Sequence, residues 1–199
     1  MKMNRRRLLV LGVGAGIGTA SAEEPQPGKE PQWISVDDRL RTDWPYLDRY
    51  RTENAGLLAS GAAVDAVFMG DSITEGWLSK MPAFFVPGRV CRGISGQTTP
   101  QMLVRFRQDV IHLRPRIVHI MAGTNDVAGN TGPTTAEMTQ DNIRSMAEIA
   151  RANKVRIILA SIPPAAHFFW RPEVEPAAAL SELNRWIRAY AHEIDAVYA

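Results

Sequence analysis

An α/β domain built on a parallel sheet covered on both faces is the fold class this sequence predicts. Two observations carry that reading. Short segments, among them residues 116–121 and 155–162, are mostly apolar rather than alternating, as strands buried on both faces are. Between them lie stretches with apolar residues at helical spacing, the strand–helix alternation of a parallel sheet. The 199 residues suit one ordinary domain, and neither an internal repeat nor a second domain is visible. An apolar fraction of 45% and a charged fraction of 22% are near the globular average, which excludes a disordered tail, a collagen or a coiled coil.

Taken in order, residues 43–58 read as a surface helix and residues 64–69 as a buried strand closed by Gly70-Asp71. A poorer strand lies at 89–92. Residues 97–113 place Leu103, Phe106, Val110 and Leu113 at helical spacing, and residues 116–121 are a third strand. Thr134-x-x-Glu137 reads as a capping box opening a helix that carries Ile143, Met146, Ala147 and Ala150. Residues 155–162 are the strongest strand, stopped by Pro163-Pro164. Leu180, Leu183, Ile187 and Ala191 mark another amphipathic helix, and residues 196–199 look like the start of a fifth strand.

The first 22 residues read as an export leader. Arg5-Arg6-Arg7 precedes an apolar run at 8–20, and Ala20-Ser21-Ala22 fits a cleavage site. The run is too short for the roughly 30 Å of bilayer hydrocarbon, so no stable membrane anchor is expected. The arginine pair before Leu8-Leu9 resembles a twin-arginine signal, which makes the export machinery a partner and the location periplasmic or secreted. Residues 23–42 read as a linker or N-terminal extension, and 43–199 as the domain. The glycines from Gly12 to Gly18 imitate a dinucleotide loop, but no strand precedes them, so no cofactor is expected there. The formal charge of +2 also belongs to the leader. Of 23 basic residues, four lie in the first 22 positions, which hold no acid; the other 19 face 21 acids, a net charge of −2. A nucleic-acid partner is therefore disfavoured. One cysteine, Cys91, excludes an internal disulfide and a cysteine-built metal site; it reads as a small buried residue.

In a parallel sheet, sites gather beyond the carboxyl ends of the strands. Gly70-Asp71-Ser72-Ile73-Thr74 follows the first strand, Gly93-Ile94-Ser95-Gly96-Gln97-Thr98 the second, and Gly123-Thr124-Asn125-Asp126 the third. Together they supply a hydroxyl, a glycine amide that no Cβ shields, and a neutral side-chain amide. That is the equipment of acyl transfer: a serine nucleophile and donors for an oxyanion. Each tripeptide alone is common, and Asn125 alone would read as a turn or cap residue. The ordered set, one member per strand end, is far more specific.

This set resembles the SGNH, or GDSL-type, esterase and lipase family from about residue 64 to residue 199. The resemblance implies a flavodoxin-like three-layer α/β/α sandwich of about five parallel strands, with no cofactor and no metal. It also implies that Ser72 is the nucleophile, that Gly96 and Asn125 line the oxyanion hole with the Ser72 N–H, and that Asp71 orders the nucleophile turn. The substrate class would be a small-molecule, glycan or lipid ester.

The family's general base lies in an Asp-x-x-His block near the C-terminus, beyond the fifth strand, and no Asp-x-x-His stands there in this sequence; Asp109-Val110-Ile111-His112 has the spacing but precedes the third strand. The chain therefore reads as truncated before that block, with weak activity or none, an incomplete last strand and part of one sheet face without cover. His119 lies inside the third strand and reads as a core residue. His112 sits near a helix end, and His192 with Asp195 falls at the wrong sheet edge. His167, after the fourth strand, is the one rival base; with Trp170 it otherwise forms the rim of the substrate cleft. The competing reading is a non-catalytic module that binds acyl or acetylated-sugar ligands in the same cleft.

Overall fold

The computed structural model describes residue 38 and residues 41–199. The expected leader and nearly all of the expected linker lie outside the described residues. Five strands form one sheet: β1 (Ala66–Gly70), β2 (Arg89–Gly93), β3 (Ile117–Met121), β4 (Arg156–Leu159) and β5 (Val197–Tyr198). All neighbours run parallel in the order β2-β1-β3-β4-β5. The helices are α1 (Arg51–Ser60), α2 (Ser72–Lys80), α3 (Thr99–Asp109), α4 (Thr124–Val127), α5 (Ala136–Ala152) and α6 (Pro176–Glu193). This is the α/β/α sandwich that the alternating strands and helices predict.

Successive strand residues point to opposite faces, and the two faces are covered differently. Val67, Met69, Val118, Ile120, Ile157 and Leu159 join one core with Met102 and Phe106 of α3, Ile143 and Met146 of α5, and Leu183 and Ile187 of α6. On the other face, Phe68 meets Trp77 of α2 edge-on at 6.2 Å and Phe84 at 5.2 Å. His119 lies 5.3 Å from the Phe68 ring and 5.7 Å from Trp77. Cover thins along the row Cys91, Phe68, His119, Ile158 and Val197, which register places side by side. Phe68 and His119 are buried, Ile158 is half-buried, and Val197 is 60% exposed.

Three elements differ from the sequence expectation. The helix expected at 43–58 begins only at Arg51. The Asp43 carboxylate accepts the Leu47 N–H at 2.7 Å and the Asp48 N–H at 2.9 Å, which folds residues 43–48 into turns. The helix expected after Thr134 is capped by Thr135, whose hydroxyl accepts the Met138 N–H at 3.1 Å, while Thr134 donates to the Gly132 carbonyl. The reaching-back glutamine of a capping box appears instead at α3, where Gln101 accepts the Thr98 N–H at 3.0 Å. The long strand expected at 155–162 is regular only over Arg156–Leu159. Elsewhere the apolar positions fall as the pattern predicts: Ile143, Met146, Ala147, Ala150, Leu180, Leu183, Ile187 and Ala191 are all buried.

Candidate active site

The strand order reverses at β1, which has β2 on one side and β3 on the other. A crevice at such a switch point lies beyond the carboxyl ends of the strands. Ser72 follows β1 by one residue and is the first residue of α2, with its side chain exposed. Asp71 caps that helix, its carboxylate accepting the Ile73 N–H at 2.9 Å. Burial pushes the Asp71 carboxyl up to about 6; the Ile73 amide works against that shift, and the Asp126 carboxylate adds to it. The tight approach of α2 to β2 depends on Gly93. A Cβ there would stand 2.3 Å from the Glu75 nitrogen and 2.8 Å from the Asp71 carbonyl oxygen.

The loop after β2 is drawn in from below. Gly96 has φ +78°, the left-handed region that favours glycine. Ser95 is held by Glu75, which accepts its N–H at 2.8 Å. The Ile94 N–H donates to the Gly70 carbonyl at 3.1 Å, so the first two strand-end loops are bonded to each other. Beneath them runs a buried polar layer. Arg105 of α3 is fully buried and donates to the Gln97 amide oxygen at 2.6 Å, to Asp109 at 3.1 Å and to the Gly70 carbonyl at 3.1 Å. Burial lowers its pKa and Asp109 opposes that effect. Arg92 makes a second buried set with Asn54 beneath the Tyr50 ring, and reaches the exposed Glu53 carboxylate at 3.3 Å.

Asn125 is the second residue of α4, the short helix after β3, and is buried. Its Nδ2 donates to the Gln97 carbonyl at 2.9 Å, and its Oδ1 accepts from Asn130 Nδ2 at 2.9 Å. One of its two amide hydrogens is thus left without a described partner. The neighbouring Asp126 accepts both the N–H and the hydroxyl of Thr99, which fastens this loop to the start of α3. Trp170, on the loop after β4, donates its indole N–H to Asn130 Oδ1 at 3.1 Å and stacks on buried Phe168 at 4.8 Å. Hydrogen bonds therefore link the end of β1 to the loop after β2, that loop to the segment after β3, and that segment to the Trp170 loop.

The remaining candidates sit apart from this cluster or on its margin. His167 is exposed on the Trp170 loop. Among the described residues the Ser72 hydroxyl has no hydrogen-bond partner. His112 lies in the turn that follows α3, and His192 in the last turn of α6; both precede a strand and so stand at the opposite sheet edge. His119 is buried in the aromatic layer under α2, and burial pulls its imidazole down to about 4. Cys91 is buried and free, its thiol facing the Thr74 carbonyl. Sequence reasoning did not single out Asn130, Gln97 or Arg105. Asn130 sits in Gly129-Asn130-Thr131-Gly132, where the residue types announce a turn and nothing more.

A helix start that carries a serine hydroxyl and a buried side-chain amide lie just past the ends of β1 and β3, on either side of the switch point. Residues 68–199 match the model of the GDSL-like lipase/acylhydrolase family, and the chain belongs to that family, whose members are esterases and lipases. A GDSL-like lipase from Bacteroides thetaiotaomicron is 47% identical over 78% of each chain, with a TM-score of 0.74. A candidate acylhydrolase from Bacteroides fragilis is 44% identical over 78% of this chain and 76% of its own, also with a TM-score of 0.74. A lipase/acylhydrolase from Enterococcus faecalis, at 22% identity over 68% of this chain and 75% of its own and a TM-score of 0.54, shares the fold alone. No curated protein matches the sequence.

Proposed function

We propose that this protein is an exported serine carboxylic-ester hydrolase that works through an acyl-enzyme on Ser72. The observation that supports the reading best is the gathering of Ser72, Gly96 and Asn125 from three separate strand ends, with one Asn125 N–H uncommitted. In the first step Ser72 Oγ attacks the ester carbonyl carbon and loses its proton. The carbonyl oxygen becomes an oxyanion that accepts from the Ser72 N–H, the Gly96 N–H and Asn125 Nδ2. Collapse expels the alcohol, which takes up a proton, and leaves the acyl group on Ser72. Water then attacks the acyl carbon, the bond to Ser72 Oγ breaks, the carboxylic acid leaves, and a proton from the water restores the Ser72 hydroxyl. Asp71 shapes the turn rather than reacting, because its carboxylate is committed to the Ile73 amide.

The Ser72 proton passes to a general base or, where none is in reach, to solvent. A triad lacking a member loses on the order of 10⁴–10⁶ in rate, while the oxyanion hole retains part of the acceleration. Small-molecule, glycan and lipid esters all fit the reading, with Trp170 and His167 at the rim of the cleft. The residues 1–22 direct export, and no described helix is long and apolar enough to cross a membrane. The test is hydrolysis of p-nitrophenyl acetate by the wild type and by Ser72→Ala. A Ser72-dependent rate above the variant's is expected. Equal rates, together with saturable ligand binding, would instead favour the binding-module reading.

A further inference from the structure

The Asn130 carboxamide touches both proposed oxyanion donors and the rim loop at once. We propose that Asn130 is a positioning residue of this site: it holds the Asn125 amide in donor geometry and ties it, with the Gly96 carbonyl, to the Trp170 loop. The inference rests on the esterase reading above.

The case is one of donor and acceptor matching. An indole N–H can only donate, so the Asn130 atom that faces Trp170 at 3.1 Å is the oxygen. The Asn130 NH₂ group then faces two acceptors, Asn125 Oδ1 at 2.9 Å and the Gly96 carbonyl at 3.2 Å. Its two hydrogens have one acceptor each. Asn125 is forced in turn. Its oxygen must face the Asn130 NH₂ group, so its own NH₂ faces the Gln97 carbonyl at 2.9 Å. Flipping the Asn125 amide would set oxygen against the Gln97 carbonyl and NH₂ against NH₂, and both contacts would repel. The backbone closes the unit, because the Asn130 N–H donates to the Asn125 carbonyl at 3.0 Å. One side chain thus fixes the rotamer of the Asn125 amide, the carbonyl of Gly96 and the seat of Trp170. Removing an oxyanion donor outright costs about 10²–10³ in kcat. Loosening a donor that is still present should cost less.

The test is a double-mutant cycle on p-nitrophenyl acetate hydrolysis, with the rate of Ser72→Ala subtracted throughout. Asn130→Ala is expected to lower kcat by about 10–100-fold with KM changed less than about two-fold. In an Asn125→Ala background the same change should lower kcat by less than about two-fold, because the group it positions is gone. Trp170→Phe, which keeps a ring and removes the N–H, should lower kcat by less than Asn130→Ala does. An equal loss in both backgrounds, a change in KM alone, or no loss would overturn the proposal. A second readout does not need turnover. The Asn125 side-chain amide resonances in an NMR spectrum should shift in Asn130→Ala, and unchanged resonances would overturn the proposal. If Ser72→Ala keeps the full rate, the esterase reading fails, and the resonances alone decide whether Asn130 positions Asn125.

Discussion

Asp71 and His119 are both buried, and their titrations pull stability in opposite directions. The Asp71 carboxyl is raised from 3.8 to about 6, so between those values the folded state holds more protons there than the unfolded chain. Its contribution is complete below pH 3.8 and is lost as pH rises through about 6. The His119 imidazole is lowered from 6.5 to about 4, so its contribution is complete above pH 6.5 and is lost as pH falls through about 4. The windows overlap, and at about 1.4 kcal/mol per pKa unit the two largely offset each other. His119→Phe keeps the aromatic packing and removes one side of this balance. The variant is expected to gain stability relative to the wild type as pH falls from 7 to 4, read from urea unfolding at several pH values. Parallel stability curves for the two proteins would contradict the assignment. Neither shift is legible in the sequence, since both arise from burial that only the folded packing produces.

At the scale of elements, α3 does more than cover the sheet. Its Arg105 reaches the last carbonyl of β1 and the Gln97 side chain, and it balances Asp109 one turn away. The strand end that precedes Ser72 and the loop that carries Gly96 are thus braced by one buried guanidinium. Arg105→Met would fill the volume but leave Asp109, Gln97 and the Gly70 carbonyl without their donor. A loss of about 3–5 kcal/mol is expected from denaturant unfolding, as for one half of a buried ion pair. A loss within about 0.5 kcal/mol, the range of surface substitutions, would show that water or Arg92 replaces it. The sequence places Arg105 on a helix, at a position that periodicity alone assigns to no charge. Its partners lie 35 residues back at Gly70 and eight back at Gln97, and such contacts have no local signal. The shifted cap at Thr135 has a similar cause: Thr134 and Thr135 are chemically alike, and only the bond from Thr134 to Gly132 separates them.

Across the whole molecule, the parallel sheet and its flanking helices were legible because the strands are apolar on both sides and the helices on one. The placement of the candidate residues is legible from topology, since Ser72, Gly96 and Asn125 each fall just past a strand. What holds them in place was not legible. Asn130, Gln97 and Arg105 act through contacts between loops and layers, and their residue types also suit turns and surfaces. The row ending at Val197 shows the same limit, since periodicity marks an apolar strand but not how much of it is covered. The central claim is that Ser72 carries the acyl group during turnover. The most direct measurement is mass spectrometry of the protein after brief exposure to p-nitrophenyl acetate and an acid quench. One acetyl group on the peptide that contains Ser72, absent in Ser72→Ala, is the expected result. Ester hydrolysis with no acetyl group at Ser72, or with one at another residue that persists in Ser72→Ala, would contradict it.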